Sequence, residues 1–225
     1  MPILTFQTFD DAWDELIQTG HFSLNNAALS LKELYQLYGY VKICSAPLSI
    51  YLCDIRLIPT HTIKSDMPSD VLTQAINTLE QTLLNLLNHD RWQLIQLNKI
   101  ELIENLSLSD DFYYNFLSTS YHSNLKKLNL YLPKASLEPY FMQFLKNNPE
   151  LETLTLDLAY ESNGFIEELA SSITNSPIKK LDLGNTHLDS NAYNALDSPL
   201  DNNYYLQLSV PNADHENEEL HDRYT

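Results

Sequence analysis

The sequence predicts an α/β repeat fold, with short parallel strands on one side and helices on the other. Three observations predict it. The stretches Leu125-Lys-Lys-Leu128-Asn-Leu130, Leu151-Glu-Thr-Leu154-Thr-Leu156 and Ile178-Lys-Lys-Leu181-Asp-Leu183 share one apolar grammar. Their first positions fall 26 and 27 residues apart (151−125 and 178−151), a period typical of stacked strand–helix units. Each unit is also punctuated by a proline, at Asn148-Pro149, Ser176-Pro177 and Ser198-Pro199. Proline disfavours helix in the residue before it and cannot donate an amide to a strand ladder, so each helix is expected to stop there.

The elements follow in order. Residues 9–18 and 25–38 read as helices, and 40–44 and 48–57 as two strands across a turn near Pro47. Residues 69–88 carry Leu72, Ile76, Leu79, Leu83, Leu86 and Leu87 in one stripe, an amphipathic helix. Trp92-Gln-Leu-Ile95-Gln-Leu97 fits the strand template, followed by a short loop, and Ile103-Glu-Asn-Leu106-Ser-Leu108 fits it again. A short helix over 111–118 would bury Phe112, Phe116 and Leu117.

Within the three clear repeats, the strands start at 125, 151 and 178. The first is followed by a helix from Ser136, a candidate N-cap, with Pro139 in its first turn and Leu137, Phe141, Phe144 and Leu145 on one face. The second is followed by a helix over 162–174 with Phe165, Ile166, Leu169, Ala170 and Ile173 inward. The third is followed by a helix over 189–196 with Ala192, Ala195 and Leu196 inward. Asn203-Tyr-Tyr-Leu206-Gln-Leu208 is a degenerate last strand, as expected of a terminal repeat.

Three regions result: an N-terminal α+β cap over 1–60, a solenoid over 61–211, and a tail over 212–225. The cap would cover the open apolar end of the array. The tail has no apolar period and carries Asp214, Glu216, Glu218, Glu219 and Asp222, which predicts disorder.

Thirteen basic residues against thirty acidic ones give a formal net charge of −17, spread along the chain. That field repels phosphate backbones and anionic membrane surfaces, so nucleic acid is not an expected partner. Hydrophobic residues make up 44 %, as in a folded protein. No apolar run approaches the length of a membrane span, and the first residues lack a secretory signal. Cys44 and Cys53 are too few for a disulfide framework and read as reduced, buried thiols in a strand pair.

The segment Ile178 to Leu196 resembles the ribonuclease-inhibitor-like branch of leucine-rich repeats, in which each strand pairs with a helix. The resemblance spans roughly 100–210. It implies a curved solenoid with a parallel sheet on the concave side and helices on the convex side. The family's asparagine after the L-x-x-L-x-L core would fall at Thr186, with Asn185 one place early, and Pro133 and Ala159 stand at the equivalent places. The whole chain also resembles leucine-rich repeat effectors that intracellular bacteria deliver into host cells. Its glutamate-rich end, Glu216-Asn-Glu-Glu219, is similar to the acidic block of some type IV secretion substrates. This resemblance implies secretion into a host cell without a conventional signal peptide; otherwise the chain would be cytoplasmic. It also implies a host protein as partner.

Side chains alternate along a strand, so the residues between the leucines should face the concave side. They are Asn105 and Ser107; Lys127, Asn129 and Tyr131; Thr153, Thr155 and Asp157; Lys180 and Asp182; and Tyr205 and Gln207. Five strands would span about 20 Å, enough for a protein–protein footprint. Tyr131 and Tyr205 are aromatics of the type that anchors interfaces. Lys127 and Lys180 would suit an acidic partner loop or helix.

Enzyme signatures are missing from the sequence. The four glycines form no phosphate-cradling loop, and no H-E-x-x-H, C-x-x-C or G-x-S-x-G occurs. The expectation is a non-catalytic protein-binding module with no cofactor and no metal. The alternative is an adaptor whose residues 1–60 recruit a second protein or hold an unrecognised activity around Cys44 or Cys53 and a histidine.

Overall fold

Strands and helices alternate throughout the computed structural model. It describes residues 8–59, 68–102, 107–119, 122, 124–160, 162–174, 176–184, 186, 188–202 and 206–209. The protein is α/β, and every strand pairing defined among the described residues is parallel. The chain divides into two compact units, Met1–Leu125 and Lys126–Thr225.

The first unit holds α1 (Phe9–Thr19), β1 (His21–Ser30), α2 (Leu31–Ile43), β2 (Leu48–Ile58), α3 (Ser69–Leu87), β3 (Trp92–Glu101) and α4 (Asp110–Thr119). Its strands lie side by side in sequence order. Phe22, Ile50 and Ile95 align, as do Leu24, Leu52 and Leu97, and all are buried. Leu34, Leu37 and Val41 of α2 and Leu79, Leu83, Leu86 and Leu87 of α3 fill the same core, each wholly buried. The predicted stripe of α3 is therefore buried only from Leu79 onward; Leu72 and Ile76 are half-buried.

Three predicted elements of this unit are corrected. Residues 25–30 are strand and not helix, residues 40–43 are the end of α2 and not a strand, and residues 98–101 continue β3 where a loop was expected. The expected strand over 103–108 lies largely outside the described residues. Helix α2 starts at Leu31 because Ser30 and Glu33 form a capping box: the Ser30 hydroxyl accepts from the Glu33 amide, and the Glu33 carboxylate accepts from the Ser30 amide at 2.7 Å. At the other end, Val41 shares the buried face of Leu34 and Leu37, so packing overrides the strand preference of Tyr40-Val41. Cys44 caps this helix and Cys53 lies in β2; neither is in a disulfide and both are only partly buried, so the expected strand pair of buried cysteines is not formed.

The strand signal of β1 was hidden by a backbone kink. Asn26 and Asp54 both have φ 50°, and the register places them side by side, between the pairs Asn25–Cys53 and Ala27–Ile55. The left-handed turn inserts one residue into the alternation, so in β2 burial passes from Leu52 to Ile55. Asn and Asp tolerate this conformation better than other side chains carrying a Cβ. Because both strands kink at the same level, their pairing continues to Ser30–Ile58.

Helix α4 is capped by a residue from another helix. The Ser109 hydroxyl accepts from the Phe112 amide at 3.1 Å. The carboxylate that completes the cap comes from Glu80 in α3, which accepts from the Ser109 amide at 2.6 Å and from its hydroxyl at 2.7 Å. In α1 and α2 the equivalent carboxylates, Asp11 and Glu33, are local. Glu80 is buried, and hydrogen bonds to a charged acceptor are the stronger kind. Glu80→Ala is expected to lower stability by about 1–3 kcal/mol in a denaturant melt. A cost no larger than that of an exposed substitution would mean the cap contributes nothing.

The second unit holds β4 (Lys127–Leu132), a 3-10 turn (Ala135–Leu137), α5 (Glu138–Asn147), β5 (Thr153–Leu158), α6 (Asn163–Ile173), β6 (Lys180–Asp182), α7 (Ser190–Asn202) and β7 (Gln207–Ser209). The strand pairing reproduces the sequence period. Lys127 pairs with Thr153, Thr153 with Lys180, and Lys180 with Gln207, steps of 26, 27 and 27 residues (153−127, 180−153, 207−180). Leu128, Leu154, Leu181 and Leu208 make one buried ladder, and Leu130 and Leu156 the next.

Here too, details differ from expectation. Ser136 lies within the 3-10 turn and does not cap α5; Pro139 occupies the first turn, as predicted. Pro199 does not end its helix, because α7 runs on to Asn202. Only the last turn follows that proline, so the helix forgoes a single late backbone bond. Tyr193 is buried in α7 beside the predicted Ala192 and Leu196, while Ala195 is half-buried.

Thr186 takes up a loop role. It is fully buried; its hydroxyl accepts from the Leu158 amide at 3.2 Å and lies 3.5 Å from the Leu156 carbonyl, to which it donates. One hydroxyl thus ties the loop after β6 to the end of β5. Thr186→Val keeps the shape but leaves that amide without this partner, and is expected to cost about 1–3 kcal/mol. Thr186→Ser should retain most of the stability in the same thermal melt.

Candidate functional site: the polar strand face of the second unit

The burial of β4 and β5 alternates residue by residue, leucines inward and the intervening residues outward. The parallel register converts this alternation into rows that cross the strands. The first row is Lys127, Thr153, Lys180 and Gln207. The second is Asn129, Thr155, Asp182 and Ser209, and the third begins with Tyr131 and Asp157. Lys127, Lys180, Gln207 and Ser209 are exposed, and the others are half-buried.

Nine of the predicted residues therefore share one face: Lys127, Asn129, Tyr131, Thr153, Thr155, Asp157, Lys180, Asp182 and Gln207. Ser107 belongs to the first unit and is exposed there. Asn105 and Tyr205 lie outside the described residues.

Charge is graded along the strands. The cations stand in the first row and the carboxylates in the second and third. Asp182 accepts from the Gly184 amide at 3.0 Å. Gly184 has φ 53°, and the Asp157 carboxylate occupies the space a Cβ there would need. Both acids are thus gathered around one glycine, at the end of the face away from the lysines.

The two Lys-Lys pairs divide their labour. Lys126 reaches Glu150 at 2.8 Å and Glu152 at 3.4 Å, and Lys179 reaches Glu152 at 2.7 Å. Hydrogen bonding to Glu150 holds the Lys126 amine above its ordinary pKa, and bonding to Lys179 holds the Glu152 carboxyl below its own. These groups are exposed, so they link neighbouring repeats but stabilise them little. The second lysine of each pair, Lys127 or Lys180, stands on the row beside Thr153.

The first unit has a comparable face that the sequence reading missed. Ser23, Tyr51 and Gln96 align across β1, β2 and β3, and none is fully buried. Burial, and then hydrogen bonding with Cys53, pushes the Tyr51 hydroxyl up from its ordinary pKa. The alternation around Phe22-Leu24 and Ile50-Leu52 could have revealed this face had the phase shift at Asn26 and Asp54 been allowed for.

Other features offer little chemistry. A groove of about 780 Å³ between α2 and α3 is lined mostly by uncharged side chains, among them Tyr35, Tyr38, Asn77 and Gln81, with Asp70 as the charged member. A smaller hollow of about 310 Å³ lies among Met142, Leu145, Ile173 and Ile178. Cys44 Sγ is 3.9 Å from the Ala46 carbonyl and Cys53 Sγ 3.5 Å from Asp54 Oδ2. Among the described residues, no three His, Cys, Asp or Glu side chains gather as a metal site, and no helix is long and apolar enough to cross a membrane. No protein-family model matches the chain, and no curated protein matches it at a significant level.

Proposed function

We propose that this chain is a non-catalytic protein-binding module of the leucine-rich repeat type, a curved solenoid that holds a protein partner on its concave strand face. The observation that carries this reading is the register of the second unit, where nine polar or aromatic positions between the leucines line up as continuous rows. A repeat array that buries its leucines and presents its intervening residues in rows offers an extended, rigid surface for recognition. Tyr131 supplies an amphipathic anchor there. The net charge of −17 argues for protein over nucleic acid. The acidic C-terminal residues, Glu216 to Glu219, add support for a bacterial effector acting inside a host cell.

The test is capture of partners from host-cell lysate by the full chain and by Tyr131→Ala/Thr155→Arg. The double variant should lose the captured protein while its circular dichroism melt stays within a few degrees of wild type. Capture that survives the double substitution removes this face from the mechanism.

A further inference from the structure

Resting on that reading of the face, we propose that the row Lys127–Thr153–Lys180 is the recognition site for an acidic segment of the partner, laid across the strands. The two ammonium groups belong to alternate strands, with Thr153 on the strand between them. Adjacent strands lie about 4.8 Å apart, so the two backbone positions are separated by about 10 Å. The half-buried Thr153 between them contributes a hydroxyl that can donate to a carboxylate. Lys126 and Lys179, one residue earlier, are already engaged by Glu150 and Glu152. Lys127 and Lys180 are thus the two exposed cations that the repeat brings to this face.

The direction of the segment follows from the acids. Asp182 in the second row and Asp157 in the third would repel a carboxylate that ran along the strands toward Gly184. Only a path along the first row keeps the partner's negative charge beside the lysines. A segment in the polyproline-II conformation rises about 3.1 Å per residue and returns to the same face every third residue, so acidic residues three apart match the spacing of Lys127 and Lys180. Such pairing is a surface interaction, screened by salt, and sets specificity more than affinity.

The probe is a fluorescein-labelled ten-residue Ser/Gly peptide with two glutamates three positions apart, measured by anisotropy against the full chain. Its Gln-substituted twin is the control. The Glu peptide should bind at least tenfold more tightly than the Gln peptide, and the difference should shrink between 50 and 300 mM salt. Lys127→Glu/Lys180→Glu should weaken binding at least tenfold. Lys32→Glu/Lys146→Glu makes the same change in net charge at two exposed sites off the face, and should stay within twofold of wild type. Equal binding of the two peptides, or equal losses in the two variants, overturns the proposal. Phosphoserine binding in place of glutamate binding overturns it as well. None of these outcomes touches the broader reading of the face, which stands or falls on Tyr131→Ala/Thr155→Arg.

Discussion

Leu154→Ala is expected to lower the unfolding free energy by about 2–5 kcal/mol, whereas Thr155→Ala, one residue along, should stay within about 0.5 kcal/mol. Leu154 is wholly buried and lies in register between Leu128 and Leu181. Truncating it therefore removes packing from three repeats at once and leaves a cavity between elements too well fixed by the strand ladder to collapse. Thr155 points to the other face and is half-buried. Urea melts of the two variants decide the matter. Similar costs at both positions would mean that the inward and outward assignments are mistaken, and with them the rows on which the candidate site is built.

Acid lability centred on His122 is the second large effect. The imidazole is fully buried, packs against the Phe116 ring at 6.4 Å, and hydrogen-bonds through Nδ1 to the His89 carbonyl at 3.3 Å. A carbonyl only accepts, so Nδ1 carries the proton. Burial pushes the pKa down to about 4, against an ordinary value of 6.5. Between those values the unfolded chain binds a proton that the folded chain does not, so unfolding is favoured as pH falls. The stability associated with the neutral ring is fully present above pH 6.5 and is lost as pH drops to about 4. The shift corresponds to about 3 kcal/mol. His122→Leu should flatten the difference in melting behaviour between pH 6.5 and 4 relative to wild type. An unchanged pH profile in that variant would show that other groups carry the acid response.

The strand register of the second unit was legible because each repeat spends three or four leucines on one period, and no positive-φ residue interrupts the alternation within β4 or β5. The same logic failed in the first unit for a local reason. Asn26 and Asp54 shift the phase by one residue, so His21 to Ser30 no longer reads as a strand, and Ala27-Ala28-Leu29 resembles the start of a helix. Long-range capping was invisible as well. Nothing near Ser109 supplies the acid that its cap uses, since Glu80 comes from 29 residues earlier. The site residues between the leucines were found because period-two alternation dictates them. That the two lysine pairs would split between an ion network and an open row could not be read, since it depends on where Glu150 and Glu152 sit.

The borrowed cap makes one helix's first turn conditional on another's docking. Until α3 packs, the amide of Ser109 has no carboxylate to meet and Phe112 is held by a hydroxyl alone. Helices α3 and α4 are then expected to open together, with α4 not fully ordered before α3 docks. In hydrogen exchange, the amides of Ser109 and Phe112 would report on a helix to which neither belongs.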